Sequence, residues 1–471
     1  MVFPEGGQTS TPDHPTVAEA EAEVLGPERT GTHVLRGSRE GQRVGDGALL
    51  LVQGSDTAEL LVGAPGDPLE GNAAGSLTIH PVTWDDTAVY GDDTAVLAGA
   101  AGSSFGCSAL ALPGTQLIAV GACTRSAEAG EQLGAVYLFT DSVLHEGGIA
   151  WERAAGRVEG AVEHSGLGTA LAAGDFNGDG LTDLLAGAPT AEGGRGRVYV
   201  LDDIVGAPWQ SAVDVAPLAR GTAGDDALGS SILVDGDLTG DGHDDLVVCA
   251  PGWDIAGVPS AGACGIIPGG TSPDSHTDLD DRVVSVIYGS RLGDSAGDGT
   301  MGVQVGHFLD SGSGSDALSI AVALPGSDDD SGAVLVVAPD DLDGFVSATA
   351  ATLRINGDGR FGHSLAALPG GGLLIGAPEL GVGGAAFALL PDDIWMPSGE
   401  AVHAADVSDG IWLGMEPDGG FGTRVAGAAD LDGDQWPDIA VGAPGPTDAS
   451  TGSVTVTALP AGWPLKSTRF N

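Results

Sequence analysis

Three short stretches of this chain place oxygen-bearing side chains at matched spacings. They read Asp175-Phe-Asn177-Gly-Asp179-Gly180-Leu181-Thr-Asp183, Asp237-Leu-Thr239-Gly-Asp241-Gly242-His243-Asp-Asp245 and Asp430-Leu-Asp432-Gly-Asp434-Gln435-Trp436-Pro-Asp438. Side chains at positions 1, 3, 5 and 9 can converge on one point if the backbone curls tightly. The carbonyl of position 7 (Leu181, His243 or Trp436) adds a further oxygen, and glycine at position 6 permits the turn. Calcium takes such hard oxygens, roughly six to eight of them, whereas magnesium demands a rigid octahedron and keeps its waters. Without a cation the crowded carboxylates repel one another; with one they become ligands. The expectation is about three Ca2+ sites. In the third stretch Gln435 replaces the glycine, and the three carboxylates with Asp438 compensate. A fourth stretch, Asp310-Ser-Gly312-Ser-Gly314-Ser-Asp316, has one extra residue before its apolar run and reads as degenerate.

Each of the three loops begins 14 residues before the end of an apolar run that recurs along the chain (175 to 189, 237 to 251, 430 to 444). The runs are ELLVGAP, LIAVGAC, DLLAGAP, DLVVCAP, SIAVALP, LLIGAP and DIAVGAP, ending at 65, 123, 189, 251, 325, 378 and 444. Around each lies the same grammar. A Gly-rich turn comes first, often Phe-Gly as at Phe105-Gly106, Phe361-Gly362 and Phe421-Gly422. A short apolar strand, an Asp/Gly loop, the GAP run, a third strand such as 196–201 or 452–459 and a weaker fourth follow. Alternating and β-branched residues favour strands over helices. A four-stranded unit leaves two faces unburied, and stacking its copies in a ring buries both.

The expected fold is therefore all-β: a seven-bladed β-propeller with four antiparallel strands per blade. The seventh copy ends after its third strand, near Leu459, and THVLRG at 32–37 looks like the fourth strand of the other copies. That N-terminal strand is expected to complete the last blade and clasp the ring. The propeller is placed at 30–461, between a flexible segment at 1–29, which holds the helix-like VAEAEAEVL at 17–25, and a tail at 462–471.

Composition narrows the function. Hydrophobic residues are 42% but aromatics only 5%, so the core must be built from Val, Leu, Ile and Ala. The 80 glycines show no collagen period and mark turns. Sixty-six acids against 17 bases give a net charge of −49, with Lys466 the sole lysine. Nucleic acid is excluded as a partner, and anionic membrane surfaces are disfavoured. No apolar stretch is long enough to span a membrane as a helix. No HExxH, P-loop or dinucleotide fingerprint occurs. Gly362-His363-Ser364-Leu365-Ala366 sits at the start of a first strand, not at the strand-to-helix turn of a hydrolase. The eight tryptophans line an exposed face or plug the spaces between blades.

Phe-Gly, then DFNGDGLTD, then LLAGAP resembles the FG-GAP repeat. The seven copies, over roughly residues 30–460, resemble the propeller of integrin α subunits and of related bacterial extracellular proteins. The resemblance implies calcium between the first and second strands of certain blades, held at Asp175, Asn177, Asp179, Leu181 and Asp183 and at the matching positions of the other two loops. It implies a recognition or adhesion module, not an enzyme, that meets a protein or carbohydrate partner on the cell surface or matrix. Rival readings are a propeller enzyme acting on glycans or phosphoesters and a structural surface-layer component. Family members are extracellular or periplasmic, so an export signal is expected to have been removed from MVFPEGGQTSTPDHP. Cys107 starts the first strand of copy two and Cys123 ends its second; Cys249 ends the second strand of copy four and Cys264 opens its third. Disulfides Cys107–Cys123 and Cys249–Cys264 fit that picture, and four buried thiols are the alternative.

Overall fold

The protein is described from a computed structural model. Between residues 32 and 458 it describes all but 54–57, 72, 83, 85, 92–94, 125–132, 161–164, 202–208, 212–215, 256, 272–277, 291–293, 295–301, 307, 309–317, 328–330, 343, 369–370, 390–399, 428–436 and 448–449. The helix-like 17–25 stretch and the C-terminal tail lie outside the described residues.

Seven antiparallel sheets follow one another around a ring, each holding one copy of the repeat. Blade three is representative: Leu171–Gly174, Asp183–Ala188, Arg197–Leu201 and Ala219–Arg220, in that order from the axis outward. Every residue of Asp183–Ala188 is buried. Alternation along the strand explains why an unbroken apolar run is needed there. Leu184, Ala186 and Ala188 pack against Ala119, Val136 and Leu138 of blade two. Leu185, between them, packs with Leu246, Val248 and Ala250 of blade four. Each blade therefore feeds two cores, one per face.

The spacing between blades is set by glycine. A Cβ added to Gly63, Gly121, Gly187, Gly376 or Gly442 of the GAP runs would collide with a backbone carbonyl of the next blade. The carbonyls belong to Gly106, Gly168, Gly229, Gly422 and Gly45 respectively. All five of these partners have positive φ. In blades four and five Cys249 and Ala323 stand at the GAP glycine position. The residue before each partner glycine (Val44, Phe105, Leu167, Leu228 or Phe421) is buried and bridges the turn between second and third strands of the preceding blade.

Ring closure is as expected. Thr32–Arg36 pairs antiparallel with Ser453–Ala458, so the last blade is completed by the first strand of the chain. The four-strand expectation is exceeded at the rim. Among the described residues five sheets carry a fifth, parallel strand: Asp86–Val89, Gly148–Ile149, Trp209–Ser211, Gly344–Ser347 and Glu400–His403. Each comes from the connection between third and fourth strands of one blade and pairs with the fourth strand of the blade before it. These additions cover edges that would otherwise expose unpaired N–H and C=O groups. Both disulfides, Cys107–Cys123 and Cys249–Cys264, are formed. Trp253 is buried in an inter-blade core, while Trp151 is exposed.

Replacing Gly376 by Ala should force two backbones apart and cost more than about 2 kcal/mol in urea melts. Gly224→Ala, where the new methyl meets only the Gly193 carbonyl at 3.6 Å, should change stability by less than about 0.5 kcal/mol. A second prediction concerns the clasp. His80 is buried beside His33 of the closing strand, and burial, then His33, push its pKa from 6.5 down to about 4. Across that window the unfolded chain binds a proton here that the native state refuses. Stability should therefore fall as pH drops from 6.5 towards 4, by about 3 kcal/mol in all from this group. Melts through that range should show a shallower loss in His80→Gln than in the native chain.

Candidate metal centres

Loops one and two leave the first strands of blades three and four and enter the buried second strands. Position 2 anchors each loop. Phe176 is buried in the core shared with blade four, and Leu238 packs against the core shared with blade five. With position 2 held inside, the following residues must curl back, and the glycines at positions 4 and 6 do so with positive φ (Gly178 and Gly180; Gly240 and Gly242).

The two loops fold alike. The position 6 amide donates to the position 1 carboxylate: Gly180 to Asp175 at 2.9 Å and Gly242 to Asp237 at 2.9 Å. The position 7 amide donates to position 5: Leu181 to Asp179 at 2.8 Å and His243 to Asp241 at 2.9 Å. The position 3 amide donates to position 9: Asn177 to Asp183 at 3.1 Å and Thr239 to Asp245 at 2.7 Å. Backbone donors thus turn carboxylates 1, 5 and 9 towards the interior of the curl. Leu181 is 58% exposed and stands clear of the blade cores.

The loops are not identical in where their amides go. Position 5 donates to Asn177 Oδ1 in loop one (2.8 Å) but to Asp237 Oδ1 in loop two (2.9 Å). Asp237 therefore accepts three backbone amides, from Gly240, Asp241 and Gly242. Asp183 and Asp245, at position 9, are fully buried. Burial raises the Asp245 pKa, opposed by the Gly269 and Thr239 amides that bond it.

The donor set fits a hard divalent ion. Asp175 Oδ1 is buried and has no hydrogen-bond partner among the described residues. A carboxylate oxygen withheld from both water and donors is costly unless a cation meets it. Asp175, Asn177, Asp179, the Leu181 carbonyl and Asp183 would hold one ion. Asp237, Thr239, Asp241, the His243 carbonyl and Asp245 would hold a second. Of the candidate ligands of loop three only Asp438 is described, and it is buried like its counterparts; Asp430, Asp432, Asp434 and Trp436 lie outside the described residues, as does the degenerate 310–316 loop.

Sequence spacing did not reveal one group. Glu59, at the start of blade one's GAP strand, meets Asp141 and His145 from the short helix Asp141–Glu146 of blade two. His145 Nε2 lies 3.0 Å from Glu59, and its Nδ1 lies 2.9 Å from the Asp141 carbonyl. The Glu59 contact, then the Asp141 carbonyl, raises the histidine pKa. Both ring nitrogens are engaged, so the group ties two blades together as an ion pair. Its only sequence signal was an acid at position 9 without the acidic ladder before it.

The FG-GAP repeat model matches residues 167–201, 228–263 and 421–457, the copies that carry the three acidic loops. Integrin alpha-7 from Rattus norvegicus is 41% identical over 91 residues, covering 18% of this chain and 8% of its own length; integrin alpha-7 from Mus musculus matches equally over 7% of its length. The chain thus spans less than a tenth of these relatives. A solved structure described as the Dos1 propeller aligns with 70% of this chain and 65% of its own, at 12% identity and a TM-score of 0.40.

The triple role of Asp237 predicts that Asp237→Ala frees three amides at once. Even in calcium-free buffer, hydrogen exchange across 239–243 should then rise at least about tenfold, the equivalent of one ordinary hydrogen bond.

Proposed function

We propose that this chain, which carries FG-GAP repeats, is a calcium-stabilised recognition module that works outside the cytosol and meets a protein or carbohydrate partner through propeller loops. The observation that carries the reading is the matched set of three backbone-to-carboxylate bonds in loops one and two, with Asp175 Oδ1 left buried and unbonded. Turns that needed no ion would have no reason to collect acids at three matched positions, 1, 5 and 9, in phase with the repeat. Calcium would neutralise the acids and stiffen loops that little hydrophobic contact supports.

Two disulfides support an oxidising compartment, because cytosolic thiols are kept reduced. Recognition is preferred to catalysis because the two described loops offer carboxylates fixed by backbone amides, an arrangement suited to holding an ion. Among the described residues no helix is long and apolar enough to cross a membrane.

The test is a thermal melt in EDTA and then in millimolar calcium. With calcium at about a hundredfold its Kd, each occupied site should add about 2.7 kcal/mol of stability. Asp183→Asn combined with Asp245→Asn should remove most of the calcium response. An unchanged melt in native protein would overturn the metal reading. The native protein, isolated without reductant, should weigh four hydrogens less than after reduction. A screen against surface proteins and glycans then identifies the partner class.

A further inference from the structure

Loop one is held by blade four as well as by its own bonds. The amide of Asp175, position 1 of loop one, donates to Asp244 Oδ2 at 3.2 Å. The imidazole of His243 lies so close over Gly178 that a Cβ there would strike the ring. The carbonyl of Phe176 accepts the amide of Gly270 at 2.6 Å, and Gly270 also lies against His243. The neighbouring Gly269 amide bonds Asp245 of loop two at 2.9 Å. Positions 1, 2 and 4 of loop one therefore rest on a platform made of residues 243, 244, 269 and 270.

The same platform is built from ligands of loop two. His243 would give its carbonyl and Asp245 its carboxylate, with Asp244 fixed between them. We infer that the two centres are coupled: an ion in loop two orders residues 243–245, and these in turn preset loop one for its own ion. The inference rests on the calcium reading above. His243 and Asp244 are then positioning residues whose side chains touch no ion. They explain why a histidine and a fourth acid sit inside loop two at positions that need only a backbone. Linkage makes the effect reciprocal. Repulsion between two bound cations acts the other way, but at physiological salt it is screened over roughly 8 Å.

The experiment reads loop one locally. Amide hydrogen exchange of the peptide covering 175–183 is followed by mass spectrometry against calcium concentration, at physiological ionic strength, in the full chain. Three variants are compared with the native protein: Asp237→Asn with Asp241→Asn, which disables loop two; His243→Ala with Asp244→Ala, which removes the platform side chains; and all four together. Disabling loop two should raise the calcium midpoint of loop one about fivefold or more, the lower range for coupled sites. The platform variant should raise it comparably, and disabling loop two on that background should add less than about a further twofold. Circular dichroism and exchange in blade six, remote from both loops, confirm that each variant is folded. A loop-one midpoint that stays the same or falls when loop two is disabled overturns the coupling while leaving two independent calcium sites. If calcium protects neither loop in the native protein, the metal reading falls and the coupling with it.

Discussion

Neighbouring blades meet backbone to backbone, where a glycine of one GAP strand faces a glycine carbonyl of the next blade's first turn. Five of the seven junctions use this contact, and no side chain, not even a methyl, fits between. It sets how near one sheet comes to the next, and so how large the side chains in each inter-blade core can be. A core of Val, Leu, Ile and Ala with few aromatics is what such a gap accepts. The positive φ of the partner glycine serves the same end, because it turns the incoming strand so that its carbonyl points at the neighbour. The buried residue just before it then plugs into the turn of the preceding blade. The Phe-Gly and GAP signatures are thus two halves of one contact, supplied by adjacent copies.

That contact also places the loops. Because successive blades are locked at a common distance and register, the first-to-second-strand connections of blades three and four emerge side by side. Each is tethered by a buried position 2 and curled by two glycines, which lets backbone amides bind the carboxylates. Such a fold would meet much of the ordering cost of a cation site before an ion arrived. The negative charge that remains is concentrated where donors run out, at Asp175 Oδ1.

The rim follows a different logic. A four-stranded blade leaves its outermost strand with unpaired backbone groups. Connections from the following blade reach back to five of these edges among the described residues. The clasp by Thr32–Arg36 solves the related problem of joining the ends of the ring, and it leaves His33 and His80 buried together. Stability at the closure is accordingly tied to pH.

By itself the sequence determined the repeat, and with it the number of blades, the closing strand and the phase of the acidic loops. These were legible because a ring forces the same local grammar on every copy, and local grammar is written in consecutive residues. The pairing of Cys107 with Cys123 and of Cys249 with Cys264 was legible for the same reason, since antiparallel neighbours bring their ends together. Only the tertiary structure decided what passes between copies. The back-donated rim strands, the Glu59–His145 tie and the seating of His243 and Asp244 on loop one all join residues of different blades. No spacing within one repeat encodes such contacts, because they exist only once the ring has brought one blade's loop against the next.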